Sequence, residues 1–171
     1  LDPDYGDAHN NRGIAYRRDG QYQLSINDHT TAIELDPDYP RPYNNRGNAY
    51  TALGQYQDAI NDYTMAIQLD PDYALGHNNL GNIYGVMEQY QDAIDYITEA
   101  IRLDPGVGLF YLNRGVSYAN LGEHQNAIND YTKAIDVAPD YTDAYFNRGY
   151  SYENLGEHQN AINDYTKAIE V

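Results

Sequence analysis

Residues 35–68 read LDPDYPRPYNNRGNAYTALGQYQDAINDYTMAIQ, and the rest of the chain repeats this stretch with variations. The opening string Leu-Asp-Pro-Asp-Tyr occurs at residues 1–5, 35–39 and 69–73, and variants follow at 103–107 and 137–141. Each step is 34 residues, and residues 120–135 are identical to residues 154–169. Self-similarity at a fixed period of this length is typical of proteins built by stacking one small unit.

Each repeat contains two segments with apolar residues at a helical spacing, separated by a turn. Glycine closes the first segment at residues 20, 54, 122 and 156, where a left-handed residue ends a helix at little cost. An Asp-Pro pair closes the second segment, because the residue before proline disfavours helical geometry. We predict helix pairs near 7–19 and 22–34, recurring every 34 residues. The fold class is therefore all-α, a stack of antiparallel helix pairs.

We number positions within a repeat so that position one is Gly6, Pro40, Ala74, Gly108 and Thr142. Position eight is then always glycine (13, 47, 81, 115, 149) and position eleven always tyrosine (16, 50, 84, 118, 152). Position twenty is Ser25 and then alanine at 59, 93, 127 and 161, and position twenty-seven is alanine throughout (32, 66, 100, 134, 168).

This phased pattern over nearly the whole chain resembles the tetratricopeptide repeat (TPR) family, whose period is also 34. The resemblance implies a right-handed α-solenoid that acts as a binding scaffold. We expect one array over 1–171. Residues 1–5 would be the tail of a preceding repeat, followed by repeats 6–39, 40–73, 74–107, 108–141 and 142–171.

Composition excludes several function classes. The 171 residues include no cysteine, and 26 acidic against 10 basic residues give a net charge of −16. Such a surface repels phosphate backbones and anionic membranes, so neither nucleic acid nor membrane is an expected partner. The five histidines occupy repeat positions without metal-ligand spacing. We see no phosphate-binding loop or catalytic triad, and expect no cofactor, no metal and no enzymatic activity.

Position seven, usually leucine in the family, is arginine in four repeats, and position twenty-three is aspartate in the same four. Both are lost together in the third repeat, which has Leu80 and Tyr96. A guanidinium on the packed side requires a carboxylate partner, and removing one partner alone leaves an uncompensated charge. We therefore predict structural ion pairs Arg12–Asp28, Arg46–Asp62, Arg114–Asp130 and Arg148–Asp164.

In this family, positions two, five, six, nine, twelve and thirteen of the first helix face the concave groove. Position six is asparagine in every repeat: Asn11, Asn45, Asn79, Asn113 and Asn147. More asparagines stand at positions five and nine: Asn10, Asn44, Asn78, Asn48 and Asn82. This ladder resembles the asparagine array of O-linked N-acetylglucosamine transferase, which implies an extended peptide held by its backbone. The alternative is that the asparagines bond to the helix of a neighbouring repeat.

An apolar patch follows in the last two repeats, where Leu112, Val116, Phe146 and Tyr150 take positions five and nine. Exposed apolar patches mark binding sites, so we predict an anchor for an apolar side chain. The alternative is contact with a further repeat or another chain. Heat-shock chaperone C-terminal tails are poor candidates, because the groove positions that would clamp a carboxylate lack basic residues.

The sequence thus predicts a protein-interaction scaffold that binds an extended peptide with an apolar anchor. Two alternatives remain. The chain could self-associate by stacking end-to-end or through the groove, or it could be the targeting domain of a larger protein.

Overall fold

The computed structural model describes residues 5–171, and its regular secondary structure in that range is entirely α-helical. The predicted all-α class is confirmed, and the first helix pair agrees with the predicted bounds to within one residue. The helices are α1 Gly6–Arg18, α2 Tyr22–Leu35, α3 Pro40–Ala52, α4 Tyr56–Leu69, α5 Ala74–Val86, α6 Tyr90–Leu103, α7 Gly108–Asn120, α8 His124–Val137, α9 Thr142–Asn154 and α10 His158–Glu170. None of these helices is long and apolar enough to cross a membrane. The predicted tail at 1–5 falls largely on residues 1–4, outside the described range.

A left-handed residue ends the first helix of each pair. Four glycines have φ between 73° and 79°, namely Gly20, Gly54, Gly122 and Gly156. In the third repeat Glu88 takes this conformation with φ 61°. A side chain in left-handed geometry costs about 1–2 kcal/mol, so this turn is strained relative to the other four.

The glycine at position eight lets the two helices of a pair approach closely. A Cβ added at Gly13, Gly47, Gly115 or Gly149 would lie only 2.6–2.9 Å from a ring atom of the residue at position twenty-four. Those rings are His29, Tyr63, Tyr131 and Tyr165. The ring thus lies directly on the backbone of the facing helix, and no larger residue than glycine fits there without a shift.

The helices form two compact units, one ending at Ile83 and the other spanning Tyr84–Val171. In the first unit α3 packs against both α2 and α1, so the second repeat covers the first. In the second unit α7 packs against α6 and α8, and α9 packs against α8 and α7. Its core contains Leu112, Ala127, Tyr131, Ala134 and Ala144. The single array with the repeat bounds given above remains a prediction.

Candidate functional site

Each predicted arginine and aspartate pair is joined by two hydrogen bonds. The Nε and Nη2 atoms of the guanidinium donate to the two carboxylate oxygens at 2.7–2.8 Å, joining Arg12 to Asp28, Arg46 to Asp62, Arg114 to Asp130 and Arg148 to Asp164. The four aspartates are buried. Three of the arginine side chains are 16–18% exposed, whereas Arg12 is 58% exposed. The pairs connect the two helices of one repeat, so they fix which face of the first helix packs against the second.

The remaining guanidinium nitrogen crosses to the preceding repeat, a contact that the sequence interpretation missed. Nη1 donates to a threonine hydroxyl at 3.0 Å in three places, Arg46 to Thr30, Arg114 to Thr98 and Arg148 to Thr132. The available signal was the threonine at position twenty-five of every repeat: Thr30, Thr64, Thr98, Thr132 and Thr166. Each of these arginines therefore ties two repeats together.

The pairing also determines the charge states. Burial opposes ionisation of Asp28, but hydrogen bonds from Arg12 and His9 outweigh it and lower the pKa of this carboxyl. Hydrogen bonding to Asp130 raises the pKa of Arg114 despite the opposing effect of burial. Asp28 and Arg114 therefore remain charged at neutral pH. At Asp62 burial outweighs the hydrogen bonds from Arg46 and raises the pKa of the carboxyl.

In the first unit, asparagines link neighbouring repeats. Asn45 Nδ2 donates to Asn10 Oδ1 at 3.0 Å, and Asn79 Nδ2 donates to Asn44 Oδ1 at 2.9 Å. The accepting residues, at position five, are only 5% and 3% exposed, and Asn78 at the same position is 1% exposed. Asn10, Asn44 and Asn78, which the sequence interpretation places in the groove, are therefore buried. At Asn10 and Asn44 the next repeat reaches the side chain, since each accepts a hydrogen bond from its asparagine at position six.

A second set of bonds engages position nine. Asn48 Oδ1 accepts from the Tyr63 hydroxyl at 2.9 Å and from Asn79 Nδ2 at 3.3 Å. Asn79 Oδ1 in turn accepts from Asn78 Nδ2 at 3.3 Å. Asn79 thus uses its donor and its acceptor within the protein, and Asn82 is half-buried. The bonding to a neighbouring repeat, which the sequence left as the alternative, is what the structure shows at Asn45 and Asn79.

The first two asparagines of the ladder, Asn11 and Asn45, can still form hydrogen bonds with a ligand. Asn11 is exposed, and Asn45 Oδ1 accepts no hydrogen bond from any residue of the described chain. A cavity of about 440 Å³ opens here in the first unit. It is lined by Tyr5, Asp7, Asn10, Asn11, Ile14, Tyr39, Arg41, Asn45 and Tyr73. The lining combines amide groups, tyrosine rings and one residue of each charge.

In the second unit the residues of the predicted apolar patch differ in exposure and do not form one surface. Val116 and Tyr150, at position nine, are 37% and 52% exposed, and the Tyr150 ring makes an edge contact with His124. Leu112 is only 8% exposed and belongs to the core, so its assignment to an exposed patch was wrong. It shares a buried cluster with Ala144 of the following helix pair. The last two ladder residues are half-buried, and Asn147 Nδ2 donates to the carbonyl of Asp143 at 2.7 Å, within its own helix.

Phe146 lies on a different surface. It occupies position five, where Asn10, Asn44, Asn78 and Leu112 are all buried, yet it is 57% exposed. With five other residues it lines a second cavity of about 500 Å³: Thr142, Asp143, Tyr165, Ala168 and Ile169. This open, mainly apolar surface lies at the end of the α9–α10 pair.

One histidine is deeply buried without a partner. His29 is 0% exposed, and neither ring nitrogen has a hydrogen-bond partner within the described residues. Burial lowers the pKa of His29 to about 4, so its ring is neutral at pH 7. Within residues 5–171 no three histidine, aspartate or glutamate side chains are grouped as metal binding requires.

Family models match most of the chain. The model described as TPR repeat matches residues 13–52, 47–86 and 117–156, and the model described as tetratricopeptide repeat matches 74–107 and 142–171. The chain belongs to the tetratricopeptide repeat family. It is therefore a protein-interaction scaffold, and proteins of this class are generally non-enzymatic.

Solved structures share the fold. A crystal structure of MamA is 29% identical over 92% of each chain, with a TM-score of 0.82. MamA from Desulfovibrio magneticus RS-1 is 20% identical with a TM-score of 0.84, covering 96% of this chain and 93% of that one. YrrB, described as a TPR protein with an unusual peptide-binding site, is 22% identical with a TM-score of 0.74, covering 95% and 84%. No curated protein matches the sequence significantly.

Proposed function

We propose that this scaffold binds an extended peptide segment and that the 440 Å³ cavity of the first unit holds the peptide backbone. The proposal rests on the hydrogen-bonding groups that the first two asparagines of the ladder keep available for a ligand. Asn11 is exposed, and Asn45 keeps an unused acceptor after donating to Asn10. An amide side chain can both donate and accept, so two of them in succession match the alternating N–H and C=O groups of an extended backbone.

The remaining lining indicates what kind of peptide the cavity accepts. Tyr39 and Tyr73 provide ring surface for a side chain. Arg41 and Asp7 lie in the same lining and offset each other in charge, so the cavity has no strong preference for an acidic chain terminus. This supports a partner recognised through its backbone and one apolar or aromatic side chain. The fold similarity to YrrB, which has a peptide-binding site, is consistent with the proposal.

A second contact is proposed for the apolar anchor. Val116 and Tyr150 remain exposed at position nine, the same position that Ile14 occupies in the lining of the first cavity. We assign the anchor to these two side chains and no longer to Leu112 or Phe146, since Leu112 is core and Phe146 faces the end of the last helix pair. Removal of apolar area from water would provide the affinity there.

The test uses a display library of random peptides selected on the wild-type chain. The selected peptides are then titrated against Asn11→Ala/Asn45→Ala, with binding followed by fluorescence polarisation. The matched control is Asn61→Ala/Asn163→Ala, which removes two exposed asparagines of the second helices. Within residues 5–171 their side-chain oxygens accept only from Gln57 and Gln159. Loss of two backbone hydrogen bonds should weaken binding roughly tenfold to a hundredfold.

The two variants distinguish peptide binding through Asn11 and Asn45 from binding elsewhere on the chain. If the groove variant loses affinity while the control variant does not, the asparagines bind the peptide. If both variants keep wild-type affinity, the cavity is not the binding site and the proposal fails. Val116→Ser/Tyr150→Ser, tested with the same peptides, should weaken binding only of those peptides that contain an apolar anchor residue.

A further inference from the structure

Most basic side chains of this chain are neutralised by a carboxylate. Seven of the ten lysines and arginines form ion pairs with aspartate or glutamate. The other three, Arg17, Arg18 and Arg41, form no ion pair within residues 5–171. They stand at positions twelve, thirteen and two, which face the concave groove in this family. In a chain with a net charge of −16, the unpaired cations are thus confined to the first two repeats.

Arg17 is the least solvated of these three cations. It is half-buried, whereas Arg18 and Arg41 are exposed, and its Nε atom is buried without a hydrogen-bond partner in the described part of the chain. The guanidinium of Arg46, by contrast, bonds to Asp62 and to a threonine. A buried donor of a charged group is costly to leave unpaired. An anion supplied by a ligand would satisfy Arg17.

The guanidinium of Arg17 lies where the first repeat meets the second. Burial raises the pKa of Tyr63, in the second repeat, to about 12, and a hydrogen bond with Thr51 and the positive charge of Arg17 oppose this rise. Burial lowers the pKa of His29, in the first repeat, to about 4, and the charge of Arg17 acts in the same direction. Arg17 is therefore close to both rings.

Position twelve contacts its own repeat and the repeat that follows. Thr51, the equivalent of Arg17 in the second repeat, has its Oγ1 atom 3.0 Å from the hydroxyl of Tyr63 in the same repeat. At Gly85, the equivalent in the third repeat, an added Cβ would lie 3.8 Å from Ser117 Oγ of the fourth. We therefore expect that a repeat preceding α1 would not cover Arg17.

We propose that Arg17 binds an acidic side chain, aspartate or glutamate, of the peptide that the groove holds. This inference rests on the proposed function, because it requires a peptide bound at Asn11 and Asn45. Arg17 follows Asn11 by six residues on α1, about 9 Å along the helix axis. An extended peptide covers that distance in about three residues. The acidic side chain thus belongs to a residue within about three positions of the segment held at Asn11.

Stabilisation of α1 is the alternative role for Arg17. It lies in the last turn of this helix, where a cation interacts favourably with the helix dipole. Arg18 occupies the same turn, so the helix end keeps a positive charge when Arg17 is replaced. A purely structural role would change stability, whereas ligand binding changes the preference for acidic peptides.

The experiment selects peptides from a random display library on wild type and on Arg17→Glu, which introduces the residue type that stands at position twelve of the fifth repeat. Wild type should enrich peptides with aspartate or glutamate at one fixed position, and Arg17→Glu should favour lysine or arginine there. The control is Lys133→Glu, which makes the same change of charge at an exposed residue of the second unit. It should select the same peptides as wild type. Circular dichroism establishes that all variants fold.

Titration of one peptide selected on wild type measures the contribution of its acidic residue. Changing that residue to glutamine should weaken binding to wild type roughly tenfold to a hundredfold, as expected when hydrogen bonds to a charged group are lost. The same change should leave binding to Arg17→Gln unaltered. Amidation of the peptide C-terminus should have no effect. If amidation weakens binding and the glutamine change does not, the anion is the chain terminus and the proposal is wrong.

Failure of this inference differs from failure of the proposed function. If Asn11→Ala/Asn45→Ala loses affinity while Arg17→Gln does not, the peptide binds in the groove without Arg17, and only this inference is overturned. If neither variant loses affinity, both proposals fail. An equal loss in Arg17→Gln for the acidic peptide and its glutamine form would show a structural role and would also overturn the inference.

Discussion

Removing the carboxylate of Asp62 tests how much the buried ion pairs contribute to stability. The Arg46 side chain is 17% exposed and donates two hydrogen bonds at 2.8 Å to this carboxylate. Asp62→Ala leaves the guanidinium half-desolvated, with Thr30 as its only hydrogen-bond partner among the described residues. Breaking a buried pair by removing one partner costs about 3–5 kcal/mol, and we expect a loss of that size in the free energy of unfolding.

Two further variants make the comparison specific. Asp28→Ala removes the same interaction from Arg12, which is 58% exposed and can regain water, so the loss should be clearly smaller. Arg46→Leu/Asp62→Tyr copies the pair of residues found naturally in the third repeat. Because it leaves no buried charge unpaired, this double variant should recover most of the stability lost by Asp62→Ala.

Urea denaturation at pH 7, followed by circular dichroism, measures all four proteins. If Asp62→Ala loses less than about 1 kcal/mol, the pair behaves as an exposed one and the inference from its burial is refuted. If the double variant is as unstable as Asp62→Ala, the cost arises from lost packing and not from an unpaired guanidinium.

Three more predictions follow from single positions. His29 is neutral in the fold with a pKa of about 4, below its ordinary value of about 6.5, so its contribution is complete above pH 6.5. About 3 kcal/mol should be lost as the pH falls to 4, and His29→Tyr should abolish that part of the pH dependence in urea titrations. Glu88→Gly should raise the free energy of unfolding by about 1 kcal/mol, and Gly54→Glu should lower it similarly, since both positions are left-handed. Asn79→Ala should cost about 1–3 kcal/mol, because Asn44 then loses a buried donor; an unchanged urea midpoint would contradict this.

Much of the fold is readable from the sequence because its determinants are local. The glycine that ends a first helix needs only its own backbone conformation, and the structure has φ 77° at Gly20 and 73° at Gly54. The arginine and aspartate pairs could be inferred without a structure for a different reason. The joint loss of both residues in the third repeat is a sign of mutual dependence that spacing alone does not give.

The exposure of the side chains at position five could not be predicted from the sequence in this way. Whether Leu112 is exposed depends on how closely the next helix pair packs on it, and the structure buries it in one cluster with Ala144 of that pair. Phe146 has the same position in its repeat and is exposed. The donor and acceptor partners of Asn45 and Asn79 likewise depend on distances between repeats, which a period of 34 residues does not determine.

The hydrogen bond from Arg46 to Thr30 has a consequence for how the chain opens. In a linear array, stability is a sum of terms within repeats and terms between neighbours. The third repeat has Leu80, which cannot donate to Thr64. The free energy that couples the second and third repeats therefore lacks a hydrogen bond that the other neighbouring repeats share. Transient local opening, as detected by amide hydrogen exchange, should therefore be more frequent beside Thr64 than beside Thr30 or Thr132.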